Sequence, residues 1–268
     1  MASSHKLSAT ALSTFLKSPK QYYYRYILRL EPIQQQVANF DHDKLFGVLW
    51  AQFTDRFYKG ESEASNIDVT RAAWLEQTEG WVPEKARDTK TRALDALMPQ
   101  YYQTFSPDDG CRAPEKSELW LEIDRLCAKL DGLSYDGVVH EVKSTSRSPQ
   151  LAEQLWKVQN SLQVRLYCVL ADAFGHCVEF AFKDPPYQIF RGPVILVGDA
   201  QKQRWESELN ALADMIYSLG DDPNNYPCHT DGCCLTTKGY VSMCQYQLLC
   251  TDGINENTDV FYKKRERK

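Results

Sequence analysis

Two carboxylates and a lysine are brought within reach of one another by the segment Asp131-Gly132-Leu133-Ser134-Tyr135-Asp136-Gly137-Val138-Val139-His140-Glu141-Val142-Lys143. Asp136-Gly137 is a turn dipeptide, and the apolar runs on either side predict two antiparallel strands that carry Asp131 towards Glu141. Alternation along the second strand puts Glu141 and Lys143 on one face and Val142 on the other. Convergent carboxylates form a hard oxygen site of the kind Mg²⁺ or Mn²⁺ prefers. A neighbouring ammonium orients an attacking water or offsets charge that develops during hydrolysis. Taken alone, the same residues also read as a solvated hairpin with an ordinary acid and lysine pair.

Further residues extend the pattern. Gln163-Val164-Arg165-Leu166-Tyr167 follows Lys143 on a predicted helix, where residues four apart share a face, so Gln163 and Tyr167 look in one direction. Upstream, Leu7-Ser8-Ala9-Thr10-Ala11-Leu12-Ser13-Thr14-Phe15-Leu16-Lys17-Ser18-Pro19-Lys20-Gln21-Tyr22-Tyr23-Tyr24 has an amphipathic start, a Pro and an aromatic run. In this order the motifs resemble the PD-(D/E)XK nuclease superfamily, and within it the RecB-like exonuclease branch. Members pair an acid strand with acid-x-Lys, follow it with Gln-x-x-x-Tyr, and open on Ser-x-x-x-Leu-x-x-Phe and Cys-Pro.

The resemblance implies a divalent-metal-dependent DNA nuclease, an exonuclease by its branch, with Asp131, Glu141, Lys143, Gln163 and Tyr167 as catalytic residues. Metal ligands would be Asp131, Glu141 and the Val142 carbonyl. Lys143 would position the attacking water, and Gln163 and Tyr167 would contact DNA or brace the metal shell. Products would carry a 5′-phosphate and a 3′-hydroxyl. Glu118 and Glu122, on the strand before Asp131, are two further acids, each also explained as an exposed strand residue.

Two departures stand out. Where relatives carry Gly-x-x-His or Gly-x-x-x-His, this chain has Phe46-Gly47-Val48-Leu49-Trp50, and an indole binds no metal. With Phe46, Leu49, Phe53 and Phe57 at helical spacing, Trp50 reads as core; base stacking is the alternative. Second, Ser18 replaces the early Cys of the relatives that hold a [4Fe-4S] cluster. Cys228, Cys233, Cys234, Cys244 and Cys250 nevertheless crowd the C-terminal part, and Cys244 to Cys250 matches the closing Cys-x5-Cys. A cluster on Cys228, Cys244, Cys250 and either Cys233 or Cys234, with Cys234 preferred, is the expectation. Zn²⁺ would satisfy the same thiolates. Cys111, Cys127, Cys168 and Cys177 read as scattered, buried thiols.

The elements that must position these groups are legible in outline. Helices are predicted over 8–30, 44–59, 69–77 and 86–104, strands from about 117 to 143, a helix over 151–173, strands over 177–183 and 188–196, and a helix over 202–219. This order predicts an α/β fold: a mixed central sheet flanked by helices, a restriction-endonuclease-like core with a helical N-terminal part and a Cys-rich C-terminal segment over 224–250. One domain over 1–268 is expected, with 259–268 as a charged tail whose last residues, 263–268, read as disordered.

A net charge of -5 argues weakly against a nucleic-acid binder, since local basic patches suffice for contact. Lys17, Lys20, Arg25 and Arg29, interleaved with tyrosines, make one such patch, in which Lys20, Tyr23 and Arg25 are the candidate DNA contacts. Packed tyrosines with solvated charges are the alternative. No membrane-length apolar run and no export signal are present, and nine cysteines then favour a reducing cytoplasm. No Walker motif is present, so a motor would be a separate helicase or recombination protein. A compact RecB-like chain suggests a phage or mobile-element setting. Two rival readings are an inactive DNA-binding or assembly module that keeps the fold, and a metal-stapled protein-interaction domain.

Overall fold

The computed structural model describes residues 6–32, 42–146, 151–227, 246, 249, 254–255 and 258–265. The chain divides into two compact units, one of 1–39, 124–127 and 207–268, the other of 40–123 and 128–206. Both are assembled from discontinuous segments, which is why no linker shows in the sequence.

The larger unit holds a mixed sheet. Strands β4 (Gly132–Leu133), β5 (Val138–Thr145), β6 (Gly175–Phe182) and β7 (Gln188–Arg191) lie in that order, and β8 (Ile195–Leu196) also pairs with β6. β5 and β6 are parallel, from Val138↔Gly175 to Thr145↔Phe182; the other pairings are antiparallel. Parallel neighbours need a crossover, supplied by α6 (Leu151–Gln159) and α7 (Leu162–Leu170). Every residue of β6 is buried, as a central strand covered on both faces requires.

Helices α3 (His42–Tyr58), α4 (Glu63–Thr78) and α5 (Glu84–Thr104) precede the sheet. Phe46, Leu49, Trp50, Phe53 and Phe57 of α3 join Leu94, Leu97, Met98 and Tyr101 of α5 in one cluster that includes Val142 of β5 and Ala181 of β6. On the other face, Val178, Phe180 and Phe182 pack against Leu151, Leu155 and Val158 of α6. Since Val142 faces α3 and α5, strand alternation turns Glu141 and Lys143 to the opposite side.

In place of the single helix predicted over 151–173, two are present. They separate at Asn160-Ser161, where the Ser161 hydroxyl accepts from the Val164 N–H (3.3 Å) and starts α7 afresh. The strand predicted over 188–196 is likewise interrupted, with Pro193 between β7 and β8; proline removes a ladder donor.

In the smaller unit, the helix predicted over 8–30 breaks at Ser18. That residue ends α1 (Ala9–Lys17) and caps α2 (Pro19–Tyr22), with Pro19 in the first turn. α2 runs on as a π-helical turn, Tyr23–Ile27. Strand β1 (Leu30–Pro32) pairs antiparallel with β9 (Tyr262–Lys264), and Arg265 meets Glu31 at 2.6 Å. Part of the expected charged tail is therefore an ordered edge strand, anchored by the buried Tyr262. Among the described residues no helix is long and apolar enough to cross a membrane.

Candidate active site

The hairpin forms as its turn residues dictate. Gly137 takes φ of 82°, a left-handed conformation that glycine adopts without strain, and Gly132 pairs with His140. Asp131 sits at the kink between two ladders. β3 (Leu126–Leu130) pairs with β2 (Leu119–Ile123), whereas β4, immediately after Asp131, joins the main sheet. The kink lets the Asp131 carboxylate lean over β5, where Oδ2 accepts a hydrogen bond from the Val142 N–H at 2.8 Å. Asp131 and Glu141 are thereby brought to the same point.

Glu141 is 1% exposed. Its Oε1 meets the Lys143 ammonium, and neither carboxylate oxygen has a hydrogen-bond partner otherwise. Burial first, and the Asp131 charge second, push the Glu141 carboxyl up to about 8, with Lys143 working against both. For Lys143, burial alone would lower the ammonium, but Glu141 and then Asp131 carry it above its ordinary value. The ammonium therefore stays charged beside an acid whose ionisation is held back to about 8.

A relay of side chains continues from Lys143. Its Nζ donates to Gln163 Oε1 at 3.0 Å, and Gln163 Nε2 donates to the Tyr167 hydroxyl at 2.7 Å. Lys143 can only donate, so it fixes which end of the Gln163 amide faces it, and the amide nitrogen must turn to Tyr167. Burial, then Glu141 and Asp131, raise the Tyr167 phenol far above its usual value. It stays protonated at any neutral pH and offers its hydrogen to whatever enters the site. The five residues singled out by spacing thus form one connected group within the larger unit.

Of the two additional acids, Glu118 lies close by. Its N–H donates to the Asp131 carbonyl at 3.3 Å, its charge reaches the Tyr167 phenol, and its carboxylate pairs with Lys129. Glu118 also has a positive φ of 56°, unusual for a side-chain-bearing residue. Glu122 instead accepts from Trp120 Nε1 at 2.7 Å on the exposed β2. Trp50 belongs to the core, 1% exposed, with its ring 5.1 Å from Phe53 and 5.7 Å from Tyr101. It neither stacks on a base nor replaces a ligand.

The tyrosine-rich patch is largely packed. The Tyr23 ring is buried and its hydroxyl donates to the Asp221 carbonyl at 3.3 Å; Lys20 Nζ donates to the Pro223 carbonyl at 2.8 Å. These contacts tie α2 to the segment after α8 (Asp199–Ser218), so a base has no access to the Tyr23 face. Arg25 is half-buried, 5.6 Å from the centre of the Tyr26 ring. Cys228, Cys233, Cys234, Cys244 and Cys250 lie outside the described residues. Cys127, Cys168 and Cys177 are buried and Cys111 is half-buried; burial pushes the Cys168 and Cys177 thiols up to about 12. Sequence reasoning missed Arg112, whose guanidinium reaches the Asp131 carbonyl; the one local sign of it is the glycine at 132.

The donors present suit a hard divalent cation: two carboxylates side by side, one of them with an oxygen that has no partner. Among the described residues no group of three or more His, Cys, Asp or Glu side chains could hold a metal ion, so backbone oxygen and water would complete the shell.

Comparison with solved structures returns a candidate exonuclease from Eubacterium rectale, 12% identical, covering 94% of both chains with a TM-score of 0.51, a likeness of fold. A second structure, SSO0001, covers 69% of this chain and 81% of its own at 12% identity, with a TM-score of 0.33 that carries no argument. No curated protein matches the sequence. A family model described as PD-(D/E)XK nuclease superfamily matches residues 6–251, nearly the whole chain and all five residues of the connected group. The chain belongs to the PD-(D/E)XK nuclease superfamily.

Proposed function

We propose that this chain is a divalent-metal-dependent deoxyribonuclease of the RecB-like branch, acting as an exonuclease on phosphodiester bonds of DNA. The observation that carries this reading is Glu141, a buried carboxylate whose Oε1 meets the Lys143 ammonium while Oε2 has no partner, set beside Asp131. A buried carboxylate with an oxygen that has no partner fits a group whose partner is a cation.

Asp131, Glu141 and the Val142 carbonyl would hold Mg²⁺ or Mn²⁺. When bound, such an ion polarises a phosphoryl oxygen and lowers the pKa of a coordinated water. The chain's own groups do the rest. Lys143, held by Glu141 and Gln163, orients the nucleophilic water and faces the charge that builds on the phosphate. Gln163 keeps Lys143 in place, and the Tyr167 hydroxyl donates to the DNA backbone or to a water beside the metal. The buried Trp50, where relatives carry a histidine, leaves the site with fewer ligands and favours a second reading, a DNA-binding module without turnover.

Both readings meet one experiment. End-labelled linear single- and double-stranded DNA and closed circular DNA are incubated with the protein in Mg²⁺, Mn²⁺ or EDTA, alongside Lys143→Ala. Cleavage of linear DNA that needs the metal and Lys143 is expected, with circular DNA spared. Metal-independent binding without cutting would establish the inactive module instead.

A further inference from the structure

Asp131 is held by more than its carboxylate. Its backbone carbonyl accepts three hydrogen bonds, from Arg112 Nη1 at 3.2 Å, the Glu118 N–H at 3.3 Å and Ser117 Oγ at 3.4 Å. Two of these donors come from the turn just before β2. The third is a guanidinium on a residue only 1% exposed, and an arginine is almost never buried so deeply unless its head group is paired.

The head group is gripped on several sides. Nη1 also meets Thr54 Oγ1 of α3 at 3.4 Å, and the guanidinium carbon lies 4.8 Å from the centre of the Tyr58 ring. Glu179 and Asp131 supply the opposing charge, while Nε and Nη2 have no hydrogen-bond partner. Arg112 is therefore stretched between helix α3 and the kink that carries Asp131.

The path of this side chain explains Gly132. A Cβ placed there would fall 2.4 Å from Arg112 Cδ and 2.9 Å from both Cγ and Nε. Gly132 does not adopt the left-handed conformation, so the missing side chain serves the close approach and not the backbone. The residue after the metal-site aspartate is a glycine because Arg112 passes over it.

We infer that Arg112 is a positioning residue of the metal site: threaded past Gly132, it fixes the Asp131 backbone so that the Asp131 carboxylate stays beside Val142 and Glu141. This rests on reading Asp131 and Glu141 as the metal-binding pair. A lysine cannot replace it, because one ammonium does not span Thr54 and the Asp131 carbonyl while stacking on Tyr58.

The test uses Mn²⁺ alone, with free ion measured by electron paramagnetic resonance, on the full chain and four variants: Arg112→Lys, Gly132→Ala, these two combined, and Asp131→Asn. Arg112→Lys and Gly132→Ala are each expected to weaken Mn²⁺ binding by about 10- to 100-fold, the range for loss of an outer-shell partner. The double variant should be no weaker than either single one, since both remove the same contact. In cleavage assays the Mn²⁺ concentration for half-maximal activity should rise by the same factor at unchanged KM for DNA. A folded Arg112→Lys protein with wild-type Mn²⁺ affinity, beside an Asp131→Asn protein that has lost it, overturns the inference. Wild-type affinity in Asp131→Asn as well removes the metal reading itself. Should Arg112→Lys not fold, Gly132→Ala, which keeps every polar group, decides by the same criterion.

Discussion

Replacing Glu141 by glutamine should stabilise the metal-free protein while removing its activity. The Glu141 carboxyl is raised from the usual 4.5 to about 8 by burial and by Asp131. A carboxyl raised in the folded state contributes its stability in full below about 4.5 and loses it as pH rises through about 8. At pH 7 the unfolded chain is favoured by roughly 2.5 pH units of ionisation that the folded chain forgoes, or on the order of 3 kcal/mol. At pH 5 the same difference is under about 1 kcal/mol. Glutamine keeps the shape and has no proton to lose. Glu141→Gln should therefore gain about 1–3 kcal/mol at pH 7, roughly 3–10 °C in melting temperature for a chain of this size, and almost nothing at pH 5. Chemical denaturation in EDTA between pH 5 and 8.5 measures this directly. Added Mg²⁺ should stabilise the wild type and leave Glu141→Gln unchanged. A wild-type protein whose stability is flat across that range, or a variant less stable than wild type at pH 7, would refute the reasoning.

Tyr167→Phe leaves Gln163 Nε2 without its acceptor at 2.7 Å, a loss of about 1–3 kcal/mol; initial-rate measurements should show kcat/KM down by roughly tenfold to a hundredfold. Trp50→Ala should cost about 3–5 kcal/mol in urea denaturation, as a large core truncation does, while Trp50→Phe cleaves DNA within a few-fold of wild type. Asp43 accepts from the buried Lys183 and Lys90 at 2.6 and 2.7 Å; burial would raise its carboxyl, but these hydrogen bonds hold it at about 2. Its contribution is present above the ordinary 3.8 and is lost as pH falls towards 2, so Asp43→Asn should lower stability at pH 7 and flatten that acid limb in a denaturation series.

Within the hairpin and within α7 the connected group was legible because the spacing is short-range; the Lys143 to Gln163 link, twenty residues apart, forms only when α7 packs on β5. Asp136-Gly137 sets a tight turn, strand alternation sets the faces of Glu141 and Lys143, and a four-residue helical step aligns Gln163 with Tyr167. Trp50 was legible as core because its apolar neighbours share a helical stripe. The aromatic run at Tyr22 to Tyr24 was not resolved in this way. A tyrosine on a charged helix is equally suited to stacking on a base and to packing, and only the segment around Asp221 and Pro223 closes over it.

By itself the sequence determined which residues could meet across one turn, one strand and one helix, since backbone periodicity alone dictates those distances. The tertiary structure decided how those residues behave. The Glu141 carboxyl is pushed up because burial strips water from it, and that burial comes from segments distant in sequence, which no local spacing encodes. Arg112 reaches Asp131 from 19 residues upstream through a gap left by a single glycine. That contact exists only once α3 and the hairpin have packed, because a guanidinium is buried only where opposing charges and an aromatic face are already in place to receive it.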